Sequence, residues 1–137
     1  MRDYSFARQP ASPPTEPILP NRPHPDSELL FAWDSYTAAA TAFEVASDAD
    51  GKLYETIMDT LADRIERIKA RTMDGVEVQL RYVFACHMDT KDAWNSAVHD
   101  EDVSEALAAK LEGDCIGRTL WAMIQTARQA GRAGGAA

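Results

Sequence analysis

The chain has 137 residues and a net charge of −8, from 14 basic and 22 acidic side chains. That length holds one domain, and no stretch approaches the run of about 18 apolar residues that a membrane span requires. The composition, 45% apolar and 26% charged, is that of a globular protein rather than a disordered chain, and abundant Ala with few β-branched residues favours helix. Residues 1–25 carry Arg2, Arg8 and Arg22 against Asp3 and Glu16, so the acidic surplus lies in residues 26–137. A body so charged repels phosphate backbones, and direct nucleic-acid binding is not expected.

All seven prolines fall in residues 1–25. Proline lacks an amide hydrogen and disfavours helix in the residue before it, so this stretch is expected to be a disordered or polyproline-like arm. Ile18 and Leu19 are its only aliphatic pair and are candidates to pin it to the body or to a partner. Met1 to Phe6 carries one positive charge with no apolar run behind it, which does not match a secretory signal. The expected location is the cytoplasm, with Cys86 and Cys115 as reduced thiols.

The helical body is expected over residues 26–130. Asp26 suits the N-cap of a first helix with Glu28 in its first turn. Leu29, Trp33, Tyr36, Ala40 and Phe43 then recur at helical spacing to about Ala46. Ser47-Asp48-Ala49-Asp50-Gly51 turns the chain. Tyr54, Ile57, Leu61, Ile65 and Ile68 mark a second helix, from about Gly51 to Ala70, antiparallel to the first. Its polar side divides into an acidic stripe (Glu55, Asp59, Asp63, Glu66) and a basic one (Arg64, Arg67, Arg71).

Thr72 can cap a third helix, whose stripe (Val76, Leu80, Val83, Phe84, His87) continues in register through Lys91, Trp94 and Val98 and so leaves its end open between Met88 and Val98. Asp102 and Glu105 have the spacing of a capping box for a fourth helix, through Leu107, Leu111, Ile116, Leu120, Met123 and Ala127. A kink or break is expected between Gly113 and Gly117, and a flexible tail over residues 131–137. The expected fold is all-α, a helical hairpin extended to a bundle of about four helices.

Three short motifs carry a resemblance. Pro23-His24-Pro25-Asp26-x-Glu28-Leu29 opens the first helix, Asp48-x-Asp50-Gly51 follows it, and Thr72-x-x-Gly75-Val76 leads to Leu80-Arg81. Together they resemble a family of small uncharacterised all-helical proteins of alphaproteobacteria and their prophages. The resemblance implies a helical fold and a mobile-element origin; beside the cytoplasm, association with a virion is the second expected location. It brings no activity, cofactor or catalytic residue.

Candidate chemistry is sparse. Cys86, His87, Asp89, His99 and Cys115 are metal-ligand types without metal-ligand spacing, so no metal and no cofactor are expected. His99-Asp100 lacks the flanking His and Asp that a helical phosphohydrolase needs. Asp63/Glu66 and Asp102/Glu105 have the i,i+3 spacing of magnesium-binding pairs, but helical projection turns both away from the apolar faces. No catalytic residue is assigned. The expected function is a non-enzymatic protein–protein interaction or assembly module. Arg64, Arg67, Arg71, Asp59, Asp63, Glu66, Ile18 and Leu19 are its candidate contacts, and Trp33, Trp94 and Trp121 with the alanine-rich faces suggest a homodimer. The alternatives are an acidic mimic or inhibitor of a nucleic-acid-processing protein and, last, a magnesium-dependent nucleotide hydrolase.

Overall fold

The computed structural model describes residues 23–136, which form six helices and, among the described residues, no strand. They are α1 (Ser27–Glu44), α2 (Asp48–Arg67), α3 (Met73–Met88), α4 (Lys91–Val98), α5 (Glu105–Glu112) and α6 (Cys115–Ala136). The all-α class is as expected, but the helix count is higher, and each extra break has a local cause. Asp89 takes a left-handed conformation (φ 51°) that ends α3 after Met88, and the Thr90 hydroxyl accepts from the Ala93 amide to start α4 afresh. Gly113 and Asp114 separate α5 from α6 inside the expected break.

Two antiparallel pairs build the body. In the first, Arg64 near the end of α2 meets Glu28 at the start of α1, and the buried Ala32 and Ala39 lie among the small residues that α1 offers for close packing. In the second, His87 at the end of α3 meets Asp114 at the start of α6, while Glu77 meets Arg128 near the far end. α4 and α5 close the remaining side. Leu29, Ile65, Phe84, Leu107 and Ile124, one from each helix except α4, are the largest fully buried side chains, each worth about 1.5–3 kcal/mol of burial. Trp33 stacks on Tyr36 with centroids 5.8 Å apart, Trp94 lies 5.9 Å from the same ring, and Trp121 lies 5.0 Å from Phe84. The tryptophans invoked for a homodimer therefore pack within one chain.

Asp26 does something other than cap its helix. It is 2% exposed and makes no side-chain bond to the first turn of α1. Its carboxylate instead accepts from the Arg71 and Thr72 amides, each at 2.8 Å, and from the Thr72 hydroxyl at 2.6 Å. That hydroxyl in turn accepts from the Gly75 amide and caps α3 as expected. Gly75 is required here, because a Cβ would press into the Asp26 carboxylate. His24 and Pro25, counted with the arm, already lie against the body. His24 Nδ1 accepts from the Asp26 amide, so Nε2 carries the ring proton and donates to Asp74 at 3.0 Å. Burial raises the Asp26 carboxyl pKa, but the Thr72 hydroxyl, the two amides and nearby His24 outweigh it and hold the pKa below its ordinary value.

Side chains of other elements donate to carbonyls at the C-terminal ends of three helices, and the described residues contain no glycine with positive φ. Gln79 donates to the Ile65 and Ile68 carbonyls of α2, Arg81 to Ala97 of α4, and Arg118 to Leu111 and Glu112 of α5. Two further expectations are corrected. α5 is capped by Ser104, whose hydroxyl accepts from the Leu107 amide, rather than by Asp102. α6 continues as helix through the expected tail to Ala136. Ile18 and Leu19 lie outside the described residues.

Asp26→Asn removes a charge that three donors share, and should destabilise the fold by about 2–4 kcal/mol in urea unfolding at pH 7. Because the folded carboxyl is depressed, its contribution is complete above the ordinary carboxylate range and is lost as pH falls through the folded value. The difference in stability between wild type and Asp26→Asn should therefore shrink below about pH 4.

Candidate functional site

The C-terminal end of α1, the middle of α2, the end of α3 and the start of α4 leave a cleft of about 420 Å³ between them. Ala40, Met58 and Ala85 are apolar surfaces within it, and Phe43 and Trp94 are its aromatic sides. Glu44, Asp89, Thr90 and Lys91 complete the lining. Its shape follows from the sequence. Ala40 and Ala85 are small where a larger residue would fill the space, and the left-handed Asp89 turns the chain away from α3 and carries Trp94 to the other side. Phe43, placed on the core stripe by its spacing, is 41% exposed at this cleft. Glu44 also takes hydrogen bonds or charge from His99 (3.1 Å) and Lys91 (3.8 Å), which joins the end of α1 to α4.

Behind the cleft, Tyr36 meets Tyr82 edge-on at 5.8 Å. The Tyr36 hydroxyl is pushed up to about 12, first by burial and then by the neighbouring Cys86 and Asp59. Tyr82 donates to Glu66 at 2.7 Å, and burial followed by that bond raises its pKa too. The Cys86 thiol is pushed up first by the packing around its sulfur, a rise that the Tyr82 hydroxyl opposes and the charges of Glu66 and Asp89 reinforce. A raised thiol holds little thiolate at neutral pH, so Cys86 is a poor nucleophile.

The candidate contacts read from the sequence occupy the outer face of α2 and the turn after it. Arg64 pairs with Glu28 at 3.4 Å and Arg67 with Asp63 at 2.8 Å. The Arg71 amide is held by Asp26 while its side chain remains exposed. Asp59 is exposed and Glu66 holds the Tyr82 hydroxyl. The basic stripe therefore serves largely as ion-pair partner to nearby acids. The metal-ligand types do not converge: His87 pairs with Asp114, His99 with Glu44, and Asp100 with Arg81. Among the described residues no three His, Cys, Asp or Glu side chains come together. The Asp114 carboxylate is depressed by the Gly117 amide and then by His87, as expected of a residue capping α6.

A second groove, lined by Asp74, Glu77, Arg81, Asp100, Arg128, Gly131 and Arg132, is polar. Four of its charges, Glu77, Arg81, Asp100 and Arg128, are mutually engaged. Arg81, 11% exposed, donates to the Ala97 carbonyl and to Asp100, each at 2.7 Å, and lies 3.6 Å from Glu77 and 5.2 Å from the Trp33 ring centre. Arg128 completes the set through Glu77 at 2.9 Å and Asp100 at 3.7 Å. Asp100 reaches both arginines from a left-handed backbone position (φ 59°). Sequence reading missed this cluster and the cleft alike, since each draws on three or four separate elements with no shared motif. A scan against protein-family models and searches of curated proteins and of solved structures returned no match.

Arg81→Ala takes the side-chain donor from the Ala97 carbonyl and leaves Arg128 as the one cation among the described residues that holds Glu77 and Asp100, and should lower stability by about 1–3 kcal/mol. Arg67→Ala removes only a solvent-exposed pair and should leave the melting temperature unchanged. Thermal unfolding of the two variants side by side checks the contrast.

Proposed function

We propose that the protein acts by binding rather than catalysis, as a protein–protein interaction module that seats an apolar side chain of its partner in the cleft between α1, α2, α3 and α4. The observation that carries this reading is the cleft itself, apolar inside and edged by Glu44, Asp89 and Lys91. That arrangement suits an aromatic or aliphatic anchor flanked by polar groups, the usual make-up of an interface centre. The motif resemblance supports a bacterial, prophage-linked setting and a cytoplasmic or virion-associated place of action. No helix among the described residues is long and apolar enough to cross a membrane.

A second reading is favoured by a different surface. Asp48, Asp50, Glu55 and Asp59 are exposed on α2 and form no ion pairs among the described residues. Asp48, Glu55 and Asp59 continue the acidic stripe of Asp63 and Glu66 toward the α1–α2 turn, where a basic protein could dock as it would on a phosphate backbone. The magnesium-hydrolase reading gains less: Asp63 is paired with Arg67, Glu66 with Tyr82, and Asp102 and Glu105 face solvent on another side of the body.

Affinity capture from the native host with tagged wild type, Phe43→Asp and a triple Asp59→Lys, Asp63→Lys, Glu66→Lys variant separates the two. The cleft reading predicts a specific protein lost with Phe43→Asp, kept by the triple variant and resistant to 0.5 M salt (about three times physiological ionic strength). The acidic reading predicts the reverse in all three respects.

A further inference from the structure

The outer face of α6 breaks with the rest of the surface. In a chain that is 26% charged, the 22-residue α6 carries three charged residues, Arg118, Arg128 and Arg132, and no acid. None of the three belongs to the outer face. Arg118 donates to the end of α5, Arg128 is held by Glu77 and Asp100, and Arg132 lines the same polar groove. Among the other exposed residues, Ile116, Thr119, Met123, Thr126, Ala130 and Ala133 form one stripe, with Cys115, Ala122 and Gln129 beside it. The spacing of the stripe alternates three and four, the a/d repeat of a helix that packs against another helix. A different set of residues, Gly117, Leu120, Trp121, Ile124 and Ala127, faces the core, so α6 has two packing faces and only one is used within the chain.

The polar atoms on the outer face support this reading. The Thr119 and Thr126 hydroxyls donate back to the Cys115 and Ala122 carbonyls, which leaves their methyl groups outermost. Ile116 is 56% and Met123 46% exposed. The face also extends onto α3. The antiparallel register set by His87–Asp114 and Glu77–Arg128 puts Val83 level with Leu120 and Val76 level with Ala127, and Val83 is 45% exposed.

We infer that this α3–α6 face joins two copies of the chain as a homodimer, with α6 packing on α6 of the second copy. Charge selects that occupant. Two copies that each carry −8 repel one another over most of their surface, and they meet most readily where few charges are placed. A basic partner would find only Asp114, at one end of the face and already paired with His87. The size is sufficient: α3 and α6 side by side present a strip of about 24 by 20 Å, so a pair buries about 1,000 Å² in total, the lower bound for a specific interface. Threonine and alanine at the repeat positions let the helices approach closely. The dimer stands apart from the cleft, which opens on α1, α2 and α4 and would be presented twice.

Sedimentation equilibrium of the full chain from 1 to 100 µM tests this, with Met123→Asp and Thr126→Lys as variants and Thr56→Asp on α2 as control. Circular dichroism of each variant establishes that it folds. The expected result is a species of twice the 15.1 kDa chain mass that persists in 1 M salt and in Thr56→Asp. Each face variant should raise the dissociation constant at least 100-fold, since it sets two like charges opposite each other in an apolar seam. A monomer at every concentration overturns the proposal, whether residues 1–22 or nothing covers the face. So does a dimer that survives both face variants, or one that high salt dissolves.

Discussion

A buried carboxylate at the start of α1 takes up both amide donors of the turn that begins α3, and most of the architecture follows from this. Asp26 lies 45 and 46 residues from its amide donors, so it cannot act until α2 has folded back along α1. Once it does, α1 and α3 begin at the same point. The Gly75 backbone makes room for the carboxylate, and the same threonine that donates to Asp26 caps α3. A carboxylate with three donors is stable where an unpaired one would be expelled or protonated. The junction is therefore stringent: its geometry must be met nearly in full or the burial of Asp26 becomes unfavourable.

Pinning α1 and α3 at their N-terminal ends has a consequence at the other ends. Tyr36 and Tyr82 occupy the space between the two helices midway along, with Trp33 and Trp94 against Tyr36. Beyond them Ala40 and Ala85 are too small to fill the gap, and the cleft opens there. The end of α3 is turned aside by Asp89, and Glu44, His99 and Lys91 hold α4 across the gap. The cleft is thus the open end of a pair of helices fixed at the closed end, which ties the proposed binding surface to the element that stabilises the fold.

Much of this was legible in the sequence where the signal is local. Two amphipathic stripes joined by a polar turn gave α1 and α2, and Leu29, Trp33, Tyr36, Leu61 and Ile65 are buried as their spacing requires. Thr72 capped the helix that its position implied, and glycine placed the break before α6. Boundaries failed where two signals competed. The α3 stripe stays in register through Trp94 and Val98, so nothing in its periodicity reveals that Asp89 adopts a left-handed conformation more usual for glycine. Asp102 and Ser104 are both good caps, and the Ser96 hydroxyl holds the Asp102 carbonyl just before the helix that Ser104 starts. The long-range features were out of reach for a simpler reason. Asp26 reads as an N-cap because its true partners are distant, and the cleft gathers residues from four helices. Two of the three motifs behind the family resemblance form a single structural unit, since Pro-His-Pro-Asp and Thr-x-x-Gly meet at the junction.

The most direct test of the account is native-state amide hydrogen exchange at Arg71 and Thr72. Both residues precede α3 in a turn, where an amide ordinarily exchanges rapidly. If Asp26 fixes the two helices together, these amides should exchange as slowly as those in the middle of α3, opening only with global unfolding. Exchange at the rate of an exposed turn would show that the junction is not held, and would remove the basis for the cleft that depends on it.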